Sequence, residues 1–194
     1  MNTPFVLPPI IVVFDTEFTA WEGSLERNWS GSNEYREIVE IGAVRVDTRE
    51  MSERDTFKTY VRPVKNPELS AYFTELTGIS QEIVDREGVD YPTAILRFAE
   101  WCRDTPIYSW GNDGDVLREN CGLLGTPFPF EQSRFFDASD IFRKAGIPVE
   151  QYMSSTIIRA FGKEPIRRGH EALNDARTIM DALRELQARE YEKG

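Results

Sequence analysis

Cysteine and histidine are the scarcest chemistry-bearing residues in this chain of 194 residues: two of the first and one of the second. Cys102 and Cys121 stand apart with no other thiol or imidazole at ligand spacing. That excludes a disulfide framework and a Cys/His zinc site, and it reads as a reduced, cytoplasmic protein. Long hydrophobic runs are lacking as well. The longest near the N-terminus, Phe5 to Phe14, is too short to cross a bilayer, contains Pro8 and Pro9, and follows no basic leader. Neither a membrane span nor a signal peptide is expected. Positive charge is also in deficit, with Lys+Arg 23 against Asp+Glu 33 and a net charge of −10. Such a balance disfavours wholesale electrostatic adhesion to a phosphate backbone. It does not exclude chemistry on phosphate esters, because a site that works through divalent cations gathers acids at its centre.

What is present fits one soluble α/β domain across residues 1–194, with a core from about 10 to 187; 40% of the residues are hydrophobic, and charges and turn residues interrupt them. The β-branched run Ile10-Ile11-Val12-Val13-Phe14 predicts a buried strand that delivers Asp15 and Glu17 at its C-terminal end. Further strands are predicted over Glu37 to Val46, Thr56 to Arg62, Pro106 to Trp110 and Arg134 to Phe136. Residues 21–36, rich in Gly, Ser, Asn and charge, read as a loop whose Trp21, Trp29 and Tyr35 cover a site. Helices are expected over Pro67 to Leu76, Ser80 to Asp85, Pro92 to Cys102, Asp115 to Leu124, Ser139 to Ala145, Met153 to Phe161 and Ala172 to Arg189. Three successive strands followed by helices interleaved with two more imply a mixed five-stranded sheet flanked by helices.

Two segments carry chemistry. Asp15 and Glu17 are two positions apart on a strand, so their carboxylates face the same way. Hard oxygen donors so placed suit Mg²⁺ or Mn²⁺, and a pair of such ions activates water and stabilises a leaving oxygen. The second segment is Gly169-His170-Glu171-Ala172-Leu173-Asn174-Asp175-Ala176, at the entrance of the last helix. Imidazole titrates near neutrality, which makes His170 a fitting proton acceptor for an attacking water. Ala172 and Ile179 flank Asp175 at one-turn spacing, so Asp175 borders the helix's apolar face.

Four motifs in this order, Phe14-Asp15-Thr16-Glu17-Phe18, Glu40-Ile41-Gly42-Ala43-Val44, Leu76-Thr77-Gly78-Ile79 and His170-Glu171-Ala172-Leu173-Asn174-Asp175, give the chain a resemblance to the DEDDh exonucleases. That superfamily includes proofreading subunits of DNA polymerases, oligoribonuclease, RNase T, and the histone-mRNA and small-RNA trimming enzymes. The likeness runs from about Ile10 to Leu186, and Trp21-Glu22 is most similar to the RNA-trimming branch. The resemblance implies an RNase H-like fold, two Mg²⁺ or Mn²⁺ ions, and release of nucleoside 5′-monophosphates from the 3′ end of single-stranded RNA or DNA. Asp15, Glu17 and Asp175 match its metal ligands, and His170 matches its general base.

The resemblance also implies a third acid from the middle of the chain, where Ser109-Trp110-Gly111-Asn112-Asp113-Gly114-Asp115 departs from the family's usual pattern, in which His-Asn precedes the acid. Asp113 is preferred because, like the family's acid, it has an apolar residue, Leu117, four positions on; Asp115 keeps the spacing to the Trp110-Gly111 pair that stands where the family has His-Asn, and the acid not used is expected to cap a helix. Thr16, Phe18, Thr77 and Trp110 are expected to contact substrate, the aromatics by stacking on bases. Arg167-Arg168 is expected to grip a phosphate. Two alternatives stand beside this reading: a fold that binds nucleic acid without hydrolysing it, and an enzyme restricted to very short oligonucleotides. Oligomeric state is left open, a homodimer included.

Overall fold

The computed structural model describes residues 6–192, so Phe5, the first residue of the N-terminal apolar run, lies outside the described residues, as do the outermost positions of the 1–194 domain. Five strands, β1 (Ile10–Phe18), β2 (Ile38–Asp47), β3 (Ser52–Tyr60), β4 (Ile107–Ser109) and β5 (Phe135–Asp137), form one sheet in the order β3-β2-β1-β4-β5. β1 to β3 are antiparallel neighbours, whereas β4 runs parallel to β1 and β5 parallel to β4. The helices are α1 (Ala71–Thr77), α2 (Gln81–Glu87), α3 (Tyr91–Cys102), α4 (Asp113–Leu123), α5 (Ser139–Lys144) and α6 (Ala172–Glu192). No helix among the described residues is long and apolar enough to cross a membrane.

Strand alternation sorts the central strand between two cores. Ile11 and Val13 of β1 face a cluster with Val44, Ala176, Ile179, Met180 and Leu183, so α6 covers this side. Val12 and Phe14 face the opposite cluster with Ala94, Ile95, Phe98 and Leu117, where α3 and α4 lie. Both faces of β1 are therefore dry, which explains its unbroken β-branched run. Asp15 and Glu17 continue the odd-numbered series, so the same periodicity that buries Ile11 and Val13 beneath α6 aims the two carboxylates toward the start of that helix.

The α6 entrance comes unusually close to the sheet. A Cβ added at Gly42 would stand 2.1 Å from the Leu173 backbone nitrogen and 2.5 Å from the Ala172 carbonyl carbon. Two positions earlier on β2, the fully buried Glu40 accepts the Ala172 N–H at 2.9 Å, satisfying one of the helix's free amides. Lys58 of β3 completes the junction, pairing with Glu40 at 2.9 Å and with Glu171 at 2.8 Å.

Several boundaries differ from the sequence expectation for identifiable reasons. β1 continues through Asp15 and Glu17, which pair with Gly42 and Glu40 of β2, and ends at Phe18 opposite Ile38 after the register shifts between Glu17 and Phe18. β3 occupies Ser52–Tyr60 instead of Thr56 to Arg62; a short turn closes directly after β2, with the Asp47 carboxylate accepting the Arg49 N–H at 3.0 Å. α1 starts at Ala71 instead of Pro67. The buried Glu37 carboxylate holds the amides of Val64, Lys65 and Asn66 in a loop, and Ser70 then caps the helix through the Phe73 N–H. α4 begins at Asp113, two residues before the expected Asp115. Met153 to Phe161, read as helical, is a loop followed by a single 3₁₀ segment over Ile157–Phe161.

The tight junction gives a stability prediction. Gly42→Ala should lower the thermal midpoint by several degrees, since overpacking costs about 1–3 kcal/mol. Gly122→Ala, inside α4 where an added Cβ meets nothing within 4 Å, should be neutral or raise it. Paired thermal melts check this; equal midpoints for both variants would contradict the packing described.

Candidate active site

The site lies beyond the C-terminal ends of the parallel pair β1 and β4, where helix N-termini from both layers converge. From the α6 side come His170, in the turn before the helix, and Asp175 in its first turn. From the opposite layer comes Asp113, the first residue of α4. Both helix starts direct partial positive charge at the carboxylates they carry. Asp15, Glu17, Asp113, His170 and Asp175 all line one cleft of about 450 Å³.

Local bonds fix each member. Asp113 accepts a hydrogen bond from the Thr16 hydroxyl at 2.8 Å, a contact across 97 residues that ties α4 to the central strand. The turn before it is fastened to β5, because Asp137 accepts the amides of Gly111 at 3.0 Å and Ser139 at 2.8 Å. Gly111 takes a φ of +73° there, a conformation that favours glycine. His170 also has a left-handed backbone, with φ +59°, and its N–H donates to Asp175 Oδ2 at 3.2 Å. Gly169 precedes it where a Cβ would lie 2.8 Å from Ser155 Cβ, so the entry turn runs tightly along the 153–156 loop. The neighbouring Ser154 hydroxyl donates to Asp175 Oδ2 at 3.4 Å.

The electrostatics are set by burial. Asp15 and Glu17 are 6% and 8% exposed, and Asp113 and Asp175 are 9% and 2%. Desolvation is the main cause that pushes the Asp15 carboxyl well above its ordinary range, followed by repulsion from Asp113, Asp175 and Glu17. Glu17 is raised in the same way, with Asp175 and Glu40 as its principal repelling neighbours. Burial pushes Asp113 and Asp175 up to about 7, against partial relief from Thr16 for the first and from His170 N–H and Ser154 for the second. Burial, with the guanidinium of Arg168 behind it, pulls the His170 imidazole below its ordinary value. A neutral ring at neutral pH can accept a proton.

The donor set fits divalent metal. Four buried carboxylates offer hard oxygens, and Asp175 Oδ1 is buried without a hydrogen-bond partner. One ligand atom each from Glu17, His170 and Asp175 lies within 4.8 Å of the others.

The remaining sequence candidates divide. Phe18, Trp21 and Trp110 line the cleft; Phe18 packs edge-on to Trp29 at 5.3 Å between ring centres, and Trp110 rests against Phe142 at 5.7 Å. Thr16 lines it too, with its hydroxyl committed to Asp113. Thr77 sits behind the wall, where its hydroxyl donates to Phe73 O and accepts the Ile79 N–H, while the adjacent Leu76 reaches the cleft. Asp115 points away to an exposed pair with Arg118 and caps nothing: Asn112 occupies the cap position of α4. Arg167 is occupied by Asp181 at 2.6 Å, and Arg168 donates to the Glu75 carbonyl at 3.2 Å. Sequence reasoning missed Ser154, which only the loop at 153–156 brings near. It also gave no role to Glu40, whose position opposite Glu17 on β2 was the available signal.

A mixed sheet in this order, with paired acids on its central strand and an acid-and-histidine entrance on the helix that covers them, is the RNase H-like arrangement of the DEDDh 3′-5′ exonucleases. The chain belongs to the RNase_T exonuclease family, whose profile matches residues 12–183. It is 36% identical over 124 residues to the probable 3′-5′ exonuclease KapD of Bacillus subtilis, covering 62% of this chain and 57% of that protein. It is 39% identical over 94 residues to the 3′-5′ exonuclease Snipper of Drosophila melanogaster, covering 48% and 32% respectively. The 3′-5′ exoribonuclease 1 of Rattus norvegicus is 27% identical over 180 residues, covering 87% of this chain and 50% of that protein. The chain thus spans between about a third and somewhat over half of these curated relatives. Among solved structures, the nuclease domain of 3′hExo, a DEDDh family member bound to rAMP, superposes with a TM-score of 0.79 at 25% identity, covering 93% of this chain and 92% of that one.

Linkage gives a pH prediction for the metal-free protein. A carboxyl with a raised folded-state pKa binds its proton more tightly when folded. Its stabilising contribution is therefore complete below the ordinary value of 3.8 and is lost as pH rises through about 7. In EDTA the thermal midpoint should fall between pH 5 and pH 8, and Mg²⁺ should recover it at pH 8 much more than at pH 5. An Asp113→Asn/Asp175→Asn variant should flatten the profile. A midpoint that rises from pH 5 to pH 8 in EDTA would contradict this assignment.

Proposed function

We propose that the chain is a metal-dependent 3′-5′ exonuclease that releases nucleoside 5′-monophosphates from the 3′ end of single-stranded nucleic acid. The observation that carries this reading is the convergence of four buried carboxylates, drawn from β1, α4 and α6, with one imidazole in a single solvent-open cleft. The exoribonuclease relatives favour RNA among its substrates.

Asp15, Glu17, Asp113 and Asp175 would hold two Mg²⁺ or Mn²⁺ ions. Such ions, when bound, lower the pKa of a coordinated water and offset charge on the leaving 3′ oxygen. His170 takes the proton of the attacking water; its lowered pKa leaves the ring free to do so at neutral pH. Thr16 and Ser154 act through the acids they touch, fixing Asp113 and Asp175 respectively. Phe18, Trp21 and Trp110 offer aromatic surface to the terminal bases. Stacking on a ring face does not depend on which base is present, so tolerance of the terminal base is expected.

The test is a 5′-labelled single-stranded oligoribonucleotide incubated with the protein in Mg²⁺. A ladder shortening one nucleotide at a time from the 3′ end is expected, with none in EDTA. His170→Ala should lose about 10²- to 10⁴-fold in kcat, the range that general-base catalysis supplies. Unchanged turnover would remove His170 from its role. Asp113→Asn should lose at least about 100-fold, as expected when preorganised charge stabilisation is removed, whereas Asp115→Asn should stay within a few fold. The reverse ranking would transfer the third-acid role to Asp115.

A further inference from the structure

At the other end of β1 from Glu17 a groove of about 880 Å³ opens between the sheet edge and the C-terminal end of α3. Ile10 marks its place on the strand. Glu17 lies seven positions beyond Ile10, roughly 23 Å at the usual rise per residue, so the groove is separate from the catalytic cleft. Four arginines, Arg45, Arg54, Arg97 and Arg103, line it against two acids, Asp55 and Glu100. This is a local cationic excess on a chain of net charge −10.

The pairing of these arginines differs from that elsewhere on the surface. Arginines such as Arg86, Arg118, Arg143, Arg159, Arg177 and Arg184 are held by carboxylates. In the groove only Arg54 is so held, by Asp47 and Glu50, both at 2.9 Å. Arg97 and Arg103 are exposed, and their side chains make no ion pair or hydrogen bond among the described residues. Arg45 lies over the Trp101 ring, 4.5 Å from its centre, and donates to the Trp101 carbonyl and to Thr105 Oγ1. Its guanidinium is held in place by these neutral groups, and it forms no ion pair among the described residues, although Asp55 lies opposite it on β3. Of the two acids, Asp55 already accepts the Trp101 indole N–H at 2.9 Å.

We propose that this groove binds phosphate groups of the nucleic-acid strand upstream of the 3′ end being processed. Guanidinium groups match phosphate oxygens in a planar, two-pronged geometry, and a preoriented arginine gives up less freedom on binding than a mobile one. A strand seated in the cleft reaches the groove only when it extends several nucleotides beyond its terminal residue. The groove therefore acts on affinity for long substrates and leaves the chemistry at the 3′ end untouched. It offsets the repulsion that the acidic chain as a whole exerts on a polyanion.

The inference rests on the proposed function for the identity of the strand, and the experiment keeps the two separable. Wild type and Arg97→Glu/Arg103→Glu are compared in turnover of a dinucleotide and of a single-stranded 20-mer. Binding of the same 20-mer is also measured by fluorescence anisotropy in EDTA, where no turnover occurs. Thermal melts establish that the variant folds; if the charge reversal unfolds it, Arg97→Gln/Arg103→Gln takes its place. The expected result is unchanged dinucleotide turnover, a KM for the 20-mer raised about tenfold, and a salt dependence of binding shallower by about 1.4 in log–log slope, the change expected when two phosphates of a single strand are no longer neutralised. Equal effects on dinucleotide and 20-mer, or 20-mer binding that is unchanged in affinity and salt slope, would overturn the proposal. So would displacement of the bound 20-mer by a polyglutamate peptide at equal charge concentration, which would mark the groove as a site for acidic protein segments. If wild type hydrolyses neither substrate, the proposed function fails while the binding arm still decides the groove.

Discussion

The meeting of His170 and Asp175 with Asp15 and Glu17 depends on how closely the entrance of α6 can sit on the β1–β2 pair. Gly42 permits the contact, since any side chain there would overlap the backbone of Ala172 and Leu173. Glu40 directs it by accepting the first amide of the helix, and Lys58 neutralises Glu40 while holding Glu171. With the helix start pinned at that spot, Asp175 and His170 arrive beside Asp15 and Glu17. Asp15 lies opposite Gly42 and Glu17 opposite Glu40, so the residues that permit and steer the approach are the cross-strand partners of the acids that use it. The cost is a fifth buried carboxylate near four others, which is one reason why Glu17 is shifted upward.

The second layer contributes differently. α4 packs on the opposite face of β1, and Asp113 reaches the cleft only because its helix begins at the strand end, where the Thr16 hydroxyl can hold it. Thus Asp15 and Glu17 point to one side of the sheet, Thr16 to the other, and the acids of both helices meet beyond its edge. Four mutually repelling carboxylates, each buried to 9% exposure or less, are costly unless protonated or paired with cations. Their clustering is the kind of local conflict that folded proteins retain at functional sites.

Much of this was legible in the sequence. The β1 run, the common face of Asp15 and Glu17, the stripe of Ala176, Met180 and Leu183 on α6, and the five-strand alternation all follow from periodicity, which local sequence encodes directly. Element limits decided by distant contacts were not legible. The start of α1 is displaced by Glu37, 27 or more residues away, gripping the loop at 64–66. The 153–161 segment has apolar residues at helical spacing, yet it passes the α6 entrance as a loop and so brings Ser154 to Asp175. Asp113 and Asp115 are nearly equivalent on the chain. They separate only in three dimensions, one beneath Thr16 and the other in solvent with Arg118. Thr77, read as a substrate contact, is spent on closing its own helix, because a Thr-Gly helix stop and a cleft wall share the same residues.

The central claim is that these carboxylates form one divalent-cation centre. Calorimetric titration of the protein with Mn²⁺ at pH 7.5 measures it most directly. The wild-type chain should bind about two ions, as a two-metal site requires, and Asp15→Asn or Asp175→Asn should abolish or severely weaken that binding while the fold survives. Absence of Mn²⁺ binding by the wild type, or binding that is indifferent to both substitutions, would contradict it.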